Sequence, residues 1–578
     1  MLPALAVPAL TIVEAPPGLP PAYRLAEDSG PVVLIAELDA YRPGSTATIL
    51  GEAALVLPAL ALTTTPVTLD DYATIRASDA GYVTRNTDPA GVQAYPPILS
   101  SGLEIDRQMD LTPNGAGAAA GWGSIRLADD GSLAALVAAR NIDARPIRIR
   151  LGRKQLLPHG YWRDPAWTET AELVVGLGAA WRLTEREMTV AFRDPGYWLD
   201  HPVDGSAYAG TGGLESSAAL AGKRKPKLRG GTAGNPVREI LAVLVNETSG
   251  IYQVSDATGG IVALYERGLS GGITLNANVA DITASAPPAG TYNVESSARG
   301  LFVRLGTFPP AGLITVDAWG AFPDGTAPST AAAVALQWLR QDLGMPEALI
   351  DAGSFTGLAA ACAWTAGDWL FDQPVTGREL VGRLLRSSAA RLVPRRTGRL
   401  AAVALTALPA GTVPVATYTT AQIVACTPRD PGPPLAPPPY RVRVGVQRYH
   451  QTQNSDLAPT LSGTRRQNLA EAYRVRSAAG AGILTAWRRP SDPALVETSL
   501  TSTADGDNLA AALRDLWSIA AGRRLWDVTL PLPYALRHDI GEPIVIAYPG
   551  PLVAGALGRI VGEQIRTADA LATLQVLV

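Results

Sequence analysis

The 578-residue chain has little cysteine and little histidine. Its two cysteines, Cys362 and Cys426, lie far apart in the sequence, and two thiols exclude both a disulfide framework and a site built from four thiolates. One bridge between them stays open, although chains with few cysteines usually keep reduced thiols. The histidines form no HExxH or HxH pair; they are His159, His201, His450 and His538. A histidine metal site is therefore not expected.

Charged residues are also scarce, at 17% of the chain, and the formal net charge at pH 7 is -3. This balance provides no overall basic field to attract nucleic acid and no basic amphipathic tract to attract a membrane. Hydrophobic residues make up 47% of the chain, which is ample for packed cores and argues against an intrinsically disordered protein. At this length we expect roughly three to five domains.

No apolar run has the character of a secretion signal or a membrane span. The N-terminal stretch MLPALAVPALTIVEAPPGLPP is apolar, but it lacks the basic start of a secretion signal, since the first basic residue is Arg24. Prolines at positions 3, 8, 16 and 17 also interrupt any helix there. The run at 47–62 contains Glu52 and Pro58 and is too short to cross a bilayer as a helix. We therefore expect a soluble protein made in the cytoplasm, with no stable membrane insertion.

Turn-forming residues are abundant: the chain holds 57 glycines and 47 prolines without a repeat period. Between them lie short alternating or β-branched runs, which indicate many short strands. We predict a mainly β, multidomain protein of barrels or sandwiches with a smaller α+β insertion. The predicted units are 1–154, 155–231, 232–327, 328–427, a proline-rich linker at 428–440, and 441–578.

Helical patterns are few. We predict short helices after the turn at 128–131 and at 237–245, a helix capped by Ser329 or Thr330, one capped by Thr376, and one at 508–522. Strands are predicted at 32–38, 147–151, 179–192, 391–393, 400–405 and 441–446, with closing strands at 525–532, 543–547, 557–565 and 571–578. The polar segment at 451–466 is predicted to be a loop.

The tripeptide Arg-Asp-Pro occurs three times. WRDPAW at 162–167 is echoed by FRDPGYW at 192–198, and a third copy lies at 429–431. Asp before Pro favours a turn, and the flanking aromatic rings would fix such a turn to a sheet. The alternative is a platform for a ligand.

Carboxylates near these aromatic residues are candidates for catalysis by a glycosidase. They are Asp164, Glu169, Glu185, Glu187 and Asp194. A glycosidase needs two carboxyl groups at a defined separation, which a sequence does not give. Glu185 and Glu187 would share one face of a strand, a pattern more typical of a solvated face than of a catalytic pair.

A single dense basic cluster stands out, KRKPKLR at 223–229, between Lys223 and Arg229. Pro226 and the glycines that follow predict a loop, exposed to solvent or to a neighbouring subunit. Contact with a phosphate group or a nucleic acid is the alternative.

The order of several motifs resembles that of tail proteins in phages and prophages. The first motif is a segment at 98–154, which contains SSGLEID, GWGSIRLADDGSL and DARPIRIRLG. Six further motifs follow it in the same order as in that family: GKRKP at 222–226, a strand at 251–256, LYERG at 264–268, RVRVG at 441–445, EAYR at 471–474 and DIGEPIVI at 539–546. Ala144 stands where the family usually has glycine. The chain resembles the tail-tip (baseplate) hub family of long-tailed phages, similar to the T4-type hub and to the N-terminal part of the lambda-type host-specificity protein.

The resemblance implies a structural protein of the virion that closes the tail tube and joins it to the tip or receptor-binding apparatus. It implies a homotrimer, with a distal tail protein, the tape-measure protein and other tail-tip or fibre proteins as partners, and transient passage of DNA through the lumen. Assembly would take place in the host cytoplasm. It carries over no catalytic, cofactor-binding or metal-binding residue, and no enzyme activity is expected.

Two other functions remain open. One is a carbohydrate-binding or wall-hydrolysing protein of the tail tip. The other is a receptor-binding protein or fibre, although the sequence shows no sustained heptad pattern.

Overall fold

The computed structural model describes residues 32–49, 65–100, 102–115, 117–432 and 435–578. Over these residues the chain is mainly β and is divided among several sheets, as the sequence predicts. The N-terminal apolar stretch and most of the run at 47–62 lie outside the described residues.

The first sheet has the strand order β2-β1-β8-β11-β12-β7, with antiparallel neighbours throughout. Its strands and the small strands around it are β1 (Val32–Ile49), β2 (Thr65–Ser78), β3 (Tyr82–Val83), β4 (Ala94–Tyr95), β5 (Glu104–Met109), β6 (Ala118–Gly121), β7 (Ser124–Ala128), β8 (Pro146–Arg153), β9 (Gln155–Leu156), β10 (Trp162–Arg163), β11 (Ala171–Leu183) and β12 (Glu187–Arg193). The predicted helix after the turn at 128–131 is Ala134–Ala139.

Alternation in β8 explains its central place. Ile147, Ile149 and Leu151 are buried, while the arginines between them are half-exposed, the pattern that a strand with one face on a core requires. β8 pairs with β1 on one side and with β11 on the other. Strand pairing therefore runs across the boundary predicted at residue 154.

Two sheets form the middle of the chain. One has the order β18-β17-β22-β13-β23, with β14 also on β22, and the other has the order β15-β16-β21-β20-β19. The strands are β13 (Lys227–Gly230), β14 (Val237–Leu241), β15 (Val243–Asn246), β16 (Ile251–Ser255), β17 (Gly259–Glu266), β18 (Leu269–Ser270), β19 (Thr274–Asn278), β20 (Thr291–Ser297), β21 (Gly300–Leu305), β22 (Ile314–Gly320) and β23 (Gly367–Leu370). Apolar residues from both sheets pack into one core.

The predicted helix at 237–245 is wrong: the structure has β14 and β15 there. β14 bonds to β22, and β15 bonds to β16. Val and Ile fit such paired strands better than a helix. Glu239 has a φ of 47°, at a register shift in β14, and this left-handed conformation would also interrupt a helix.

A helical layer packs beside these sheets. It comprises the helices Ala331–Gln337, extended by a π-helical turn at Trp338–Asp342, Ala352–Ala361 and Gly377–Arg386, and the hairpin of β24 (Ala390–Pro394) and β25 (Leu400–Ala404). The Thr376 hydroxyl accepts a hydrogen bond from the Glu379 amide, so the predicted cap is confirmed. Thr330 precedes its helix without a side-chain cap bond. The sequence did not predict the helix Ala352–Ala361.

The C-terminal part contains two further sheets. Its strands are β26 (Ala416–Tyr418), β27 (Ala425–Arg429), β28 (Arg441–Val446), β29 (Arg474–Ala479), β30 (Val496–Glu497), β31 (Leu525–Pro531), β32 (Pro543–Tyr548), β33 (Leu552–Arg566) and β34 (Leu571–Leu577), and its helices are Gly463–Ala470, Ile483–Ala486, Thr503–Trp517 and Leu532–Ala535. The closing strands are thus confirmed. The helix Gly463–Ala470 overlaps the predicted loop at 451–466 and corrects it.

The larger of these sheets curls toward a barrel. Its order is β26-β32-β33-β34-β31-β27, so β26 and β27 lie at opposite ends of the path. Only residues 419–424 connect them. This connection is a tight turn, in which the amides of Gln422 and Ile423 both donate to the Thr419 carbonyl, so the two ends of the sheet lie close together. β5 joins the same sheet by pairing with β33.

One hydrophobic core extends from the first sheet to this C-terminal sheet. It contains Leu38 and Ile149 from the first sheet, Ile105 from β5, and Val528 and Ile565 from the C-terminal sheet. The beginning and the end of the described chain are therefore parts of one packed body, with the middle of the chain attached between them.

Candidate functional site

The first two candidate carboxylates belong to structural contacts. Asp164 forms an ion pair with Lys154, with 3.0 Å between the carboxylate and the ammonium nitrogen. The Glu169 carboxylate accepts a hydrogen bond of 2.7 Å from the Ala166 amide and lies 3.5 Å from the guanidinium of Arg85. Each carboxylate therefore has a partner that holds a turn near the Arg-Asp-Pro motif.

The other three carboxylates also lie in different places and make different contacts. Glu185 lies in the exposed turn between β11 and β12, not on a strand face with Glu187, because the predicted strand at 179–192 is a hairpin. Glu187 lies 3.9 Å from Arg126. The Asp194 carboxylate accepts from the Gly196 amide at 2.6 Å, and burial raises its pKa although that hydrogen bond opposes the rise.

The predicted Arg-Asp-Pro turn is confirmed for two of the three copies, those of Asp194 and Asp430. The carboxylate of Asp430, like that of Asp194, accepts from the amide two residues ahead, at 2.9 Å. The ring of Trp167 stacks on Tyr95 at 6.0 Å between centroids, so this aromatic residue does fix the turn to the sheet. Trp162, at the other end of the same motif, is instead about half exposed.

The histidines and cysteines remain dispersed in the fold. Among the described residues, no group of three or more His, Cys, Asp or Glu side chains is placed to hold a metal ion. Both Cys362 and Cys426 are free thiols. Burial raises the pKa of Cys362 to about 11, which disfavours the reactive thiolate.

The basic segment at 223–229 is not a free basic loop. Lys227 and Arg229 lie on buried β13. The Lys227 ammonium lies 2.6 Å from Asp342 and 3.2 Å from Asp256, and the Arg229 guanidinium lies 2.9 Å from Asp342 and 2.8 Å from Asp256. Two cations and two carboxylates thus neutralise each other inside the protein.

The outer part of this segment is paired as well. Lys225 contacts Glu215 at 2.5 Å, and Arg224 lies 3.6 Å from Asp204, while Lys223 is exposed. A phosphate contact would depend on the positive charges of this segment, and carboxylates of the same chain already neutralise most of them. The structure therefore favours an internal ion-pair joint, meaning a buried cluster of paired charges that connects separate elements, over a nucleic-acid surface.

A second ion-pair joint surrounds Arg107, whose side chain is fully buried. Its guanidinium donates to Glu563, to Asp539 at 2.9 Å and to the Pro394 carbonyl at 2.9 Å. These partners belong to β33, the loop before β32, and β24. One side chain thereby ties the helical layer to the C-terminal sheet.

A third joint fixes the segment after β28 to the central sheets. The buried carboxylate of Glu239 pairs with Arg465 and accepts from Thr315 at 2.6 Å and from Gln453 at 3.2 Å. Burial raises the pKa of Glu239, and Arg465 opposes that rise. Its strained backbone serves packing here, because the carboxylate reaches partners on both sides of the joint.

A fourth buried cluster has a small cavity beside it, of about 70 Å³. Asp368 accepts from Arg383 at 2.9 Å and from Ser499 at 2.7 Å, and the ring of His450 packs edge-on against Trp369. Burial raises the pKa of Asp368, but the neighbouring cations, Arg383 first, outweigh it and lower the pKa to about 2. The carboxylate therefore stays charged and holds the strand β23 against the helix Gly377–Arg386.

Two apolar surface features have no such internal partner. The hairpin of β9 and β10 exposes Leu156, Tyr161 and Trp162. A groove of about 420 Å³ at the edge of the central sheets is lined by apolar side chains, Leu244, Leu313 and Phe371 among them. Exposed apolar surface of this kind typically marks a contact with another molecule. Neither feature was predicted from the sequence, although the run QLLPHGYW at 155–162 is a signal for the hairpin.

No helix of the described residues combines the length and the apolar character that crossing a bilayer requires.

Comparisons with known proteins give structural likenesses only: no family model and no curated protein matches the chain. The tail protein from Neisseria meningitidis MC58 has a TM-score of 0.36 at 9% identity, over 86% of this chain and 96% of that one. The 43 kDa tail protein of prophage MuSo2 from Shewanella oneidensis has a TM-score of 0.32 at 10% identity, over 86% and 95%. A chain of the native gene transfer agent virion has a TM-score of 0.34 at 12% identity, over 62% and 84%.

These three neighbours are two tail proteins and one chain of a virion. At such TM-scores the likeness defines neither the role of this chain within a tail nor its partners.

Proposed function

We propose that this chain is a structural protein of a virion, the central hub of the tail tip of a long-tailed phage or phage-like particle. In this role it closes the tail tube and joins it to the tip or receptor-binding apparatus. The proposal depends on the architecture of the chain and on the order of its sequence motifs.

The observation that carries the proposal is the interlocking of the two ends of the described chain. β5 lies near the beginning of the described chain, yet it pairs with β33 in the C-terminal sheet. A single hydrophobic core contains residues from both ends of the described chain. Such a body resists bending between its parts, because moving one part would break strand pairing and expose apolar surface. A protein that closes a tube and transmits load needs this rigidity.

The use of buried polar groups supports the same function. The four ion-pair joints built on Arg107, Arg229, Glu239 and Asp368 connect strands, helices and loops that are distant in sequence. Charged groups that are paired in this way specify how elements fit together rather than react with a substrate.

Several copies would assemble around an axis, and we propose three. A closed ring requires a heterologous contact, in which different surfaces of neighbouring copies meet. The proposed partners are the distal tail protein, the tape-measure protein and other tail-tip or fibre proteins, with DNA passing through the lumen during delivery. The proposed location is the virion tail, after assembly in the host cytoplasm.

Cryo-electron microscopy of intact particles tests the proposal. We expect the chain on the tail axis at the distal end of the tube, with three copies in each tip. Density elsewhere in the particle, or no density for this chain, would refute the hub role. As a control on copy number, light scattering of the purified oligomer should give three times the chain mass of 60.3 kDa.

A turbidity assay separates this function from wall hydrolysis. The candidate acids Asp164 and Glu169 are each held by a cation and a turn, so we expect a peptidoglycan suspension to stay turbid with the purified protein. Clearing by the wild-type protein that the variants Asp164→Asn and Glu169→Gln abolish would favour the hydrolase instead.

A further inference from the structure

The β9–β10 hairpin presents an apolar, convex surface. It pairs Trp162 with Leu156 across its two strands and bonds to no other strand among the described residues. The exposed fractions are 61% for Leu156, 74% for Tyr161 and 48% for Trp162. Side chains paired in this way lie next to each other. Tyr and Trp are the residues that most often anchor protein interfaces.

The groove at the edge of the central sheets is the concave counterpart. Tyr252 and Ile314 are almost fully buried within it, and Leu244, Leu313 and Phe371 are more exposed along it. Its volume, about 420 Å³, is in the range of pockets that hold bulky apolar groups. The groove therefore offers a place for aromatic side chains that would otherwise stay in water.

Charge also matches between the two features. Arg163 follows Trp162 and donates to the Gln155 amide oxygen, with no carboxylate in ion-pairing distance in the part of the chain that the structure describes. Glu266 lies near Tyr252, and Asp372 follows Phe371 and is exposed. Neither acid has a lysine or arginine in ion-pairing distance within the described ranges. The hairpin thus carries a spare cation, and the groove carries spare anions.

We propose that the hairpin of one copy of this chain inserts Tyr161 and Trp162 into the groove of a neighbouring copy, with Arg163 facing the acids beside the groove. A second copy is the occupant because each chain supplies one hairpin and one groove, of opposite shape and charge. A contact between unlike surfaces is heterologous and closes a ring when the rotation between copies allows it. The inference depends on the proposed function, since a tail hub consists of several copies.

Mixed disulfide cross-linking tests the contact. In a Cys426→Ala background, one variant carries Tyr161→Cys and the other carries Leu313→Cys. We expect a disulfide-linked dimer when the two variants are co-expressed, so that they enter the same oligomers, and the mixture is oxidised, and none from either alone. Val413→Cys, at an equally exposed position elsewhere, replaces Tyr161→Cys in the control and should give no dimer with Leu313→Cys.

Two results would overturn the contact. One is the absence of a dimer in the mixture. The other is a doubly substituted chain, Tyr161→Cys with Leu313→Cys, that cross-links only within itself, because the hairpin would then fill the groove of its own copy.

Charge reversal gives an independent measurement by analytical ultracentrifugation. Arg163→Glu should weaken self-association on the order of tenfold, and adding Asp372→Arg should restore it. Asp372 is exposed but Arg163 is half-buried, so unchanged circular dichroism of each variant is required to exclude misfolding as the cause. Self-association that Arg163→Glu and Trp162→Ser leave unaltered contradicts the inference, as does a wild-type chain that stays monomeric.

Failure of this contact is distinct from failure of the hub proposal. Three copies at the tail tip without the mixed cross-link would refute the contact alone. The mixed cross-link in a protein that is absent from the tail tip would refute the hub alone.

Discussion

Arg107 and Glu563 lie 456 positions apart in the sequence and form a buried ion pair as direct cross-strand neighbours. Arg107 is on β5 and Glu563 is on β33. The same guanidinium also bonds to Asp539 and to the Pro394 carbonyl. Because a buried charge without a partner is costly, this pair fixes which residue of β5 lies opposite which residue of β33.

Replacing Arg107 with Met should destabilise the protein strongly. The substitution leaves the Glu563 carboxylate buried without its closest cation, and the loss of one partner of a buried pair costs about 3–5 kcal/mol. Urea unfolding followed by tryptophan fluorescence measures the change. Adding Glu563→Met should recover part of the loss, because the second substitution removes the unpaired charge.

The exposed pair of Arg441 and Asp492, 2.9 Å apart, is the matched control for that experiment. Arg441→Ala should cost less than about 1 kcal/mol, because water already screens such a pair. If Arg107→Met costs no more than Arg441→Ala, the buried joint is not what holds β5 in place.

Local patterns in the sequence predicted much of the secondary structure. The alternation of Ile147, Ile149 and Leu151 places β8, and Thr376 caps its helix as expected, since both signals depend only on near neighbours. The cap that begins the helix Thr503–Trp517 is Ser502, a few residues before the predicted start. Helix ends depend on which of several capping residues the tertiary structure uses.

Sequence patterns could not predict the ion-pair joints, because the residues that form each joint are far apart in the chain. KRKPKLR at 223–229 has the composition of an exposed basic loop, and only the folded chain shows Asp256 and Asp342 beside Lys227 and Arg229. At 237–245, strand pairing with β22 and β16 overrides the local indication of a helix. The groove likewise combines residues from separate strands.

His450 should make the stability of the protein depend on pH. Burial lowers its pKa from 6.5 to about 3, Arg448 and Arg383 add to the lowering, and Asp368 opposes it. Below pH 6.5 the unfolded chain binds a proton on this imidazole, whereas the folded chain does so only near pH 3. Stability therefore falls as the pH drops from 6.5 toward 3.

The variant His450→Gln removes this proton uptake. Between about pH 7.5 and about pH 5, its loss of unfolding free energy should be smaller than that of the wild type by about 2 kcal/mol. Urea titrations at both pH values measure the difference. His159 is exposed, so His159→Gln should keep the wild-type pH dependence, and an equal effect of both substitutions would contradict the assignment to His450.

Two glycines should respond to alanine in opposite directions. A Cβ on Gly320 would lie 2.2 Å from the Leu228 carbonyl oxygen, where strands β22 and β13 meet, so Gly320→Ala should cost about 1–3 kcal/mol or more. A Cβ on Gly357, in the helix Ala352–Ala361, would meet no atom within 4 Å. Gly357→Ala should therefore stabilise the protein by about 0.5–1 kcal/mol. Differential scanning calorimetry measures both, and a tolerated Gly320→Ala would show that the two strands can separate at little cost.

Cys362 should be almost inert toward alkylating reagents in the folded protein. Burial raises the pKa of its thiol from 9.0 to about 11, and two pH units reduce the thiolate fraction, the reactive form, about a hundredfold at neutral pH. Mass spectrometry after treatment with iodoacetamide should show little modification of Cys362 in buffer and complete modification in urea. Val413→Cys, at a position that is 81% exposed and away from the groove, is the matched exposed thiol and should react within the same period. Rapid labelling of Cys362 in buffer would mean that the helical layer opens readily, and this would contradict the rigid body on which the proposed hub depends.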